Sequence, residues 1–299
     1  MLPDDLKECI RQLFVIMWAT GTTPTTWKES QTILLYKDKG EVTDITKYRP
    51  VGLLNTVYKL WTRHITTAMA DYAETHHILS PSQKGFREAS TTMQQAQPII
   101  MALEDARATN QNIYMLAVDF SSAFNMLDQD KLLQTMFDLG FPTDAVDAVR
   151  NLYEGATTSV RWGQENTPPI PMDRGSIQGD SLSPLLFLLY IEPLLRWLHV
   201  GGRGYRFGCL PRQDRARHQL STLAYADDLN SFTLSVSDLR MQAHKLDTFA
   251  TEFSLPINGG KTVATAALHS DVHTKLCTAT EMPKRVARRL EGQLETVLL

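Results

Sequence analysis

Two short runs of this sequence carry acidic side chains where they could do chemistry. Ala117-Val118-Asp119-Phe120 ends an apolar run on a carboxylate, and Ala224-Tyr225-Ala226-Asp227-Asp228-Leu229 sets two adjacent carboxylates between apolar residues. Taken singly, each reads as strand termination followed by an Asp-rich turn, because short motifs recur by chance. Taken together, three carboxylates from two adjacent strands suit a divalent-metal cradle. Mg²⁺ prefers carboxylate oxygens and keeps several waters. Two such ions about 3.5–4 Å apart can activate an attacking hydroxyl and stabilise the leaving oxygen of a phosphoryl transfer. The acids repel one another unless a cation lies between them, so a bare cradle is electrostatically strained.

The elements that must hold these acids are legible around them. Residues 113–120 form an apolar run with polar borders and read as a buried strand. Residues 219–234 read strand, tight turn, strand, with Asp227 and Asp228 at the turn. Helical spacing predicts helices over 4–20, from Asn55 onward, over 91–109, near 129–139 and 143–154, over 183–199 and over about 236–253. Further strands are expected at 31–36, 157–162 and near 262–267, and His76-His77 reads as a helix end. Helices and strands mix without regular βαβ alternation, which favours an α+β layout with a sheet covered by helices.

Composition narrows the function classes. The chain has 299 residues, 43% hydrophobic and 21% charged, which are globular values. Its formal net charge of -3 excludes a wholly basic nucleic-acid coat but not a local basic groove. The three cysteines, Cys9, Cys209 and Cys277, are scattered, which argues against a disulfide framework and a CxxC zinc site and fits a reducing compartment. The N-terminus lacks the order of a secretory signal, so secretion is not expected, and the sequence leaves nuclear and cytoplasmic locations open. The longest uncharged apolar run, 182–191, is too short to span a bilayer and reads as a buried helix.

Six further segments stand in a fixed order with the acids. They begin with Trp27-Lys28 and Lys47-Tyr48-Arg49-Pro50-Val51-Gly52-Leu53-Leu54-Asn55, then Tyr58-Lys59 and Gln83-Lys84-Gly85-Phe86-Arg87. Val118-Asp119-Phe120-Ser121-Ser122-Ala123-Phe124 follows, then Gly175-Ser176-Ile177-Gln178-Gly179-Asp180-Ser181-Leu182-Ser183-Pro184. After the Tyr225-Ala226-Asp227-Asp228 box comes Leu255-Pro256-Ile257-Asn258-Gly259-Gly260-Lys261-Thr262. Over about residues 27–265 this series resembles the reverse transcriptases of non-LTR (LINE-like) retrotransposons and group II introns.

The resemblance implies an α+β right-hand polymerase with fingers and palm, its antiparallel palm sheet backed by helices. It implies two Mg²⁺ ions, with Mn²⁺ as a possible substitute, held by Asp119 and Asp227, with Asp228 and Phe120 completing the metal set. Asp228 also reads as a turn residue beside the metals. Lys261 matches a lysine that protonates the leaving pyrophosphate, with a plain surface lysine as the competing reading. The nucleotide set is Lys37, Arg49, Phe124, Gln178 and Gly179: Phe124 as the aromatic gate against a ribose 2′-hydroxyl, Arg49 at the triphosphate, Gln178 and Gly179 along the nucleotide and template. Lys37 reads equally as a solvated turn lysine. Tyr225, Gly85 and Phe86 are the template and primer residues. Ser181 stands where the family often has proline.

The implied function is RNA-directed DNA polymerisation, with an RNA template, a DNA primer or target DNA, and dNTPs as partners. The implied domains are an N-terminal helical extension over 1–26, fingers with part of the palm over 27–110, palm over 111–268, and a tail over 269–299 that is not a complete thumb. A missing thumb would weaken the hold on the primer end, where positioning supplies much of the rate. The isolated chain is therefore expected to be weakly active or inactive. The alternative is a catalytically silent fragment acting only in RNA binding. A viral RNA-dependent RNA polymerase ranks lower, because such enzymes usually carry Gly before the Asp pair and lack the Gln178-Gly179 and Phe124 combination, and a generic acid-cluster nuclease ranks lower still, because it leaves the other segments unexplained. Two basic stretches, Arg203, Arg206, Arg212, Arg215, Arg217 and His218, then Lys284, Arg285, Arg288 and Arg289, could meet phosphates or be solvated faces.

Overall fold

Local signals fix most element boundaries. In the computed structural model, which describes residues 3–215 and 217–268, helix α1 covers Asp4–Thr20 and stops at Gly21, whose φ of 63° is left-handed. Strands β1 (Glu29–Tyr36) and β2 (Tyr48–Leu53) follow, then α2 (Thr56–Thr75), capped by the Asn55 side chain accepting from the Val57 amide. Next come α3 (Met93–Thr109), β3 (Ile113–Val118), α4 (Ala123–Met126), α5 (Gln129–Asp138) and α6 (Thr143–Tyr153). Strands β4 (Thr157–Trp162), β5 (Glu165–Asn166) and β6 (Ile170–Pro171) lead to α7 (Ser183–His199). The remainder is β7 (Tyr205–Arg206), α8 (Arg212–Arg215), β8 (Gln219–Leu220), β9 (Thr222–Tyr225), β10 (Asp228–Thr233), α9 (Val236–Glu252) and β11 (Val263–Ala267). The expected α+β mixture is present.

The chain divides into two units, each built from separated stretches: Met1–Ile78 with Leu127–Tyr190, and Leu79–Met126 with the chain from Ile191 onward. In the first unit, α1 packs on α2 through Phe14 and Trp61, with ring centroids 5.0 Å apart. Its sheet runs β2-β1-β4-β5, with β6 also on β4. The sequence reading gave no strand to 48–53, which contains Pro50. The structure tolerates Pro50 because β2 lies at the sheet edge. The carboxyl of Asp180 is buried here, accepting from Thr62 Oγ1 at 2.5 Å and Tyr58 Oη at 3.4 Å.

The second unit is organised on a four-stranded, wholly antiparallel sheet in the order β11-β3-β10-β9. Helices α3 and α9 pack on it. Ala102 and Ala106 of α3 meet Ile113, Leu223 and Phe232 in one buried cluster that also takes in Tyr205 and Leu220. The C-terminal end of α7 is closed by α9: Lys245 Nζ donates to the carbonyls of Trp197 at 2.6 Å and Val200 at 2.9 Å, and Gln242 donates to Leu198 at 3.1 Å. Residues 219–234 do not form one hairpin, because Gln219–Leu220 pairs with Tyr205–Arg206 and only the part from Thr222 pairs with β10. Helix α7 is buried along nearly its whole apolar length, and no helix among the described residues is long and apolar enough to cross a membrane.

Candidate active site

The ladder between β3 and β10 brings the acids together. Leu229 pairs with Val118, so the next step of the antiparallel register sets Asp228 opposite Asp119. Tyr225 pairs with Asp228, which leaves Ala226 and Asp227 as the two central residues of a tight turn. Asp119 thus stands one residue past β3, Asp227 within the turn, and Asp228 at the first position of β10. The Asp228 carboxyl is held above its ordinary value of 3.8 by desolvation first, then by repulsion from Asp227 and Asp119, with Lys261 opposing.

The segment from Leu255 to Thr262 braces the Asp119 end. Asn258 N donates to the Asp119 carbonyl at 2.8 Å, Ser121 N donates to the Pro256 carbonyl at 2.7 Å, and Phe120 forms a bridge with Ile257. The Asp119 amide donates to buried Thr262 Oγ1 at 3.3 Å. Lys261 Nζ lies 3.3 Å from both carboxylate oxygens of Asp119. The lysine side chain is 67% exposed and the aspartate 27%, so this pair contributes little and a competing cation can displace it. An aromatic side chain offers a metal no oxygen, and the Phe120 ring is buried, so Phe120 can serve an ion only through its backbone carbonyl.

Among the described residues, no three His, Cys, Asp or Glu side chains converge into a cage for one ion. The donor set nevertheless fits Mg²⁺, which is usually held by one or two carboxylates together with waters and substrate phosphates. A pre-closed three-ligand cage is not required.

The template and primer candidates border the turn. Gly85 is buried against it: a Cβ there would lie 2.1 Å from the Ala226 amide nitrogen. Phe86 is 57% exposed, with φ 55°, and its ring meets that of Phe124 edge to face at 6.3 Å. Tyr225, the last residue of β9, is half-buried. Sequence reasoning gave no role to Gln83. Its fully buried carboxamide accepts from the amides of Gly85 at 2.8 Å and Ala226 at 3.0 Å and donates to the Ala226 carbonyl at 3.1 Å. The signal available was its place at the head of the Gln83-Lys84-Gly85-Phe86-Arg87 segment.

The other nucleotide candidates belong to the first unit. Arg49, exposed on β2, pairs with Leu35, and Lys37 lies two residues beyond Leu35, so the two cations share one face of the sheet. Lys37 continues the ladder, its amide donating to the Lys47 carbonyl at 2.9 Å. Gln178 and Gly179 close on Gly52 of the same strand. The Gly52 amide donates to the Gln178 carbonyl at 2.7 Å, and a Cβ on Gly179, at φ 116°, would meet the Gly52 carbonyl oxygen at 2.9 Å.

Of the first basic stretch, Arg203 pairs with Asp238 at 2.9 Å, Arg206 donates to the Gly202 carbonyl, and Arg215 donates to the carbonyls of Leu210 and Gly208, so three of its five arginines are engaged internally. Arg212, Arg217 and His218 are exposed. The second stretch and Cys277 lie outside the described residues, and Cys9 and Cys209 are free thiols.

Residues 36–284 match the family described as reverse transcriptase (RNA-dependent DNA polymerase). The chain is 23% identical over 291 residues to the Pol polyprotein of retrotransposable element R2 of Nasonia vitripennis, covering 97% of this chain and 27% of that protein. It is 28% identical over 258 residues to a protein of transposon TX1 of Xenopus laevis, covering 86% of this chain and 19% of that protein. It is 24% identical over 194 residues to the RNA-directed DNA polymerase of the mobile element jockey of Drosophila melanogaster, covering 65% of this chain and 21% of that protein. The chain therefore spans only 19–27% of the length of these curated relatives. Among solved structures, telomerase of Candida tropicalis superposes with a TM-score of 0.57 at 13% identity, over 88% of this chain and 55% of the telomerase chain. That likeness bears out the expected polymerase fingers-and-palm fold.

Proposed function

Since the chain belongs to the reverse transcriptase (RNA-dependent DNA polymerase) family, we propose that it catalyses RNA-directed DNA synthesis, joining a dNTP to a primer 3′-hydroxyl opposite an RNA template and releasing pyrophosphate. The observation that carries this reading is the register that sets Asp228 opposite Asp119 with Asp227 in the turn between their strands. RNA as template is further supported by the fold neighbours, one of which is a Candida tropicalis telomerase in complex with a fragment of telomeric RNA.

Asp119 and Asp227 would hold two Mg²⁺ ions, or Mn²⁺ in their place, with Asp228 and the Phe120 carbonyl beside them. Bound there, the ions supply activation of the primer hydroxyl and charge neutralisation at the leaving pyrophosphate. The protein's own groups supply the rest. Lys261, with Nζ 3.3 Å from the Asp119 carboxylate, serves as the acid for the pyrophosphate. Arg49 and Lys37, on one sheet face, bind the triphosphate, and the guanidinium adds fixed charge for the transition state. Phe124 crowds a ribose 2′-hydroxyl and so selects deoxynucleotides. Gln178 and Gly179 line the nucleotide and template, and Phe86 and Tyr225 offer rings to the template–primer duplex.

Primer extension on an RNA template with Mg²⁺ and dNTPs at low salt tests the reading, with Asp227→Asn and Asp228→Asn alongside the wild type. Extension by the wild type that both variants lose is the expected result. No extension by the wild type, with Mg²⁺-independent RNA binding retained, would make the chain a silent RNA-binding fragment.

A further inference from the structure

We propose that Gln83 is a positioning residue that sets the geometry of the Asp227–Asp228 turn. The inference deepens the polymerase reading and rests on it. The turn adopts a conformation its own sequence disfavours. Ala226 takes φ 57° as the first central residue, where tight hairpin turns of this kind use glycine. A non-glycine residue stays in the left-handed region only where its surroundings over-determine it.

The Gln83 carboxamide provides that constraint. Its Oε1 receives the Ala226 amide and its Nε2 donates to the Ala226 carbonyl, so both polar groups flanking the Ala226 Cα are fixed by one side chain. The Gly85 amide shares Oε1, so two backbone donors dictate which end of the carboxamide faces them. The site is fully buried, which leaves no solvent to replace these bonds.

The side chain is itself rigidly mounted. On either side of it, the Ala224 amide donates to the Ser82 carbonyl at 2.9 Å and the Lys84 amide donates to the Ala224 carbonyl at 2.8 Å, so 82–84 runs as an added strand along β9. The Arg87 guanidinium donates to the carbonyls of Ser80 at 2.8 Å and Gln83 at 3.0 Å. Buried Glu192 accepts from the Ser80 amide at 2.9 Å and the Ser80 hydroxyl at 2.6 Å. From Glu192 through Ser80 and Gln83 to Ala226 the connections are hydrogen bonds of 2.6–3.1 Å, buried except at Arg87, and the two acids follow directly on the residue they hold.

Gln83→Met keeps the shape of the side chain and removes all three bonds. In primer extension it is expected to lower kcat about 10–100-fold, the scale of an ångström-level misplacement, while the dNTP KM stays near the wild-type value. Mn²⁺ titration followed by electron paramagnetic resonance should show weaker binding. Hydrogen exchange at the Ala226 amide should quicken at least about tenfold, as its acceptor is gone. Adding Ala226→Gly, which adopts φ 57° without a steric cost, should restore kcat or, if the single variant unfolds, its thermal stability. Unchanged Ala226 exchange in a folded Gln83→Met protein, or failure of the added glycine to restore anything, would overturn the proposal. Should the wild type extend no primer, the polymerase reading fails for this chain, while the exchange arm still decides the role of Gln83.

Discussion

Replacing Gly85 by alanine turns its close contact with the Tyr225–Ala226 backbone into a measurable displacement. The added methyl carbon would lie 2.1 Å from the Ala226 nitrogen and 2.9 Å from both the Ala226 Cα and the Tyr225 carbonyl carbon. All three are backbone atoms, so no side chain can swing aside. Real Cβ contacts stop at 3.0 Å against the 2.1 Å here, so the two backbones must part by about 0.9 Å. A displacement of ~1 Å at reacting groups costs on the order of 100-fold in rate, or about 2.7 kcal/mol of barrier. Overpacking separately costs ~1–3 kcal/mol of stability, which lowers Tm by roughly 2–4 °C for each kcal/mol. The two effects are separated by Gly163→Ala, in the turn between β4 and β5. There the φ of 64° makes alanine strained but nothing lies within 4 Å of the added methyl. Single-nucleotide primer extension and thermal unfolding are measured on both variants. Both should lose Tm, and only Gly85→Ala should lose kcat. A folded Gly85→Ala protein with wild-type kcat would refute the claim that this contact sets the position of the acids.

Other perturbations have equally definite outcomes. Asp180 is 5% exposed, and burial raises its carboxyl above the usual 3.8, so the fold favours the protonated form. Its contribution is fully present below that ordinary value and is lost as pH rises through the raised one. In urea unfolding, Asp180→Asn should therefore gain stability relative to wild type from about pH 4 toward neutrality, and a constant difference would contradict this. Lys245→Met strips the donor from the carbonyls of Trp197 in the last turn of α7 and of Val200 just beyond it, and should cost ~1–3 kcal/mol of stability, read as a fall of several degrees in Tm. Phe124→Ala should raise ribonucleotide over deoxyribonucleotide incorporation about 10-fold or more, measured by competing the two triphosphates on one template.

Elements set by local chemistry were legible in the sequence. Helix α1 ends at Thr20, where its predicted span ends, Asn55 opens α2 and caps it, and α9 begins at Val236, the predicted start, with Ser235 accepting from the Asp238 amide. Strand β3 and the acid hairpin followed from apolar runs beside paired aspartates. Elements that owe their form to distant partners were hidden. Strand β2 contains a proline that only an edge position permits, and β7 and β8 are two-residue strands with meaning only as a pair. The two units are each assembled from stretches that are far apart in the chain, which no linear reading of composition reveals. The acids could be named from the sequence because their motif is local. Gln83 could not, because its role lies in bonds to a residue 143 positions away.

The stretch that runs beside β9 has a second consequence, for how copies of this protein meet. An outer strand of a sheet presents a row of unpaired amides and carbonyls that can template pairing with another molecule. Here the Ala224 amide and carbonyl are occupied by Ser82 and Lys84, and the Gln95 carboxamide covers the Ala224 carbonyl as well, at 2.8 Å. Loosening this stretch would therefore uncover a sticky margin as well as slacken the turn. Variants that weaken it should lose solubility at high protein concentration.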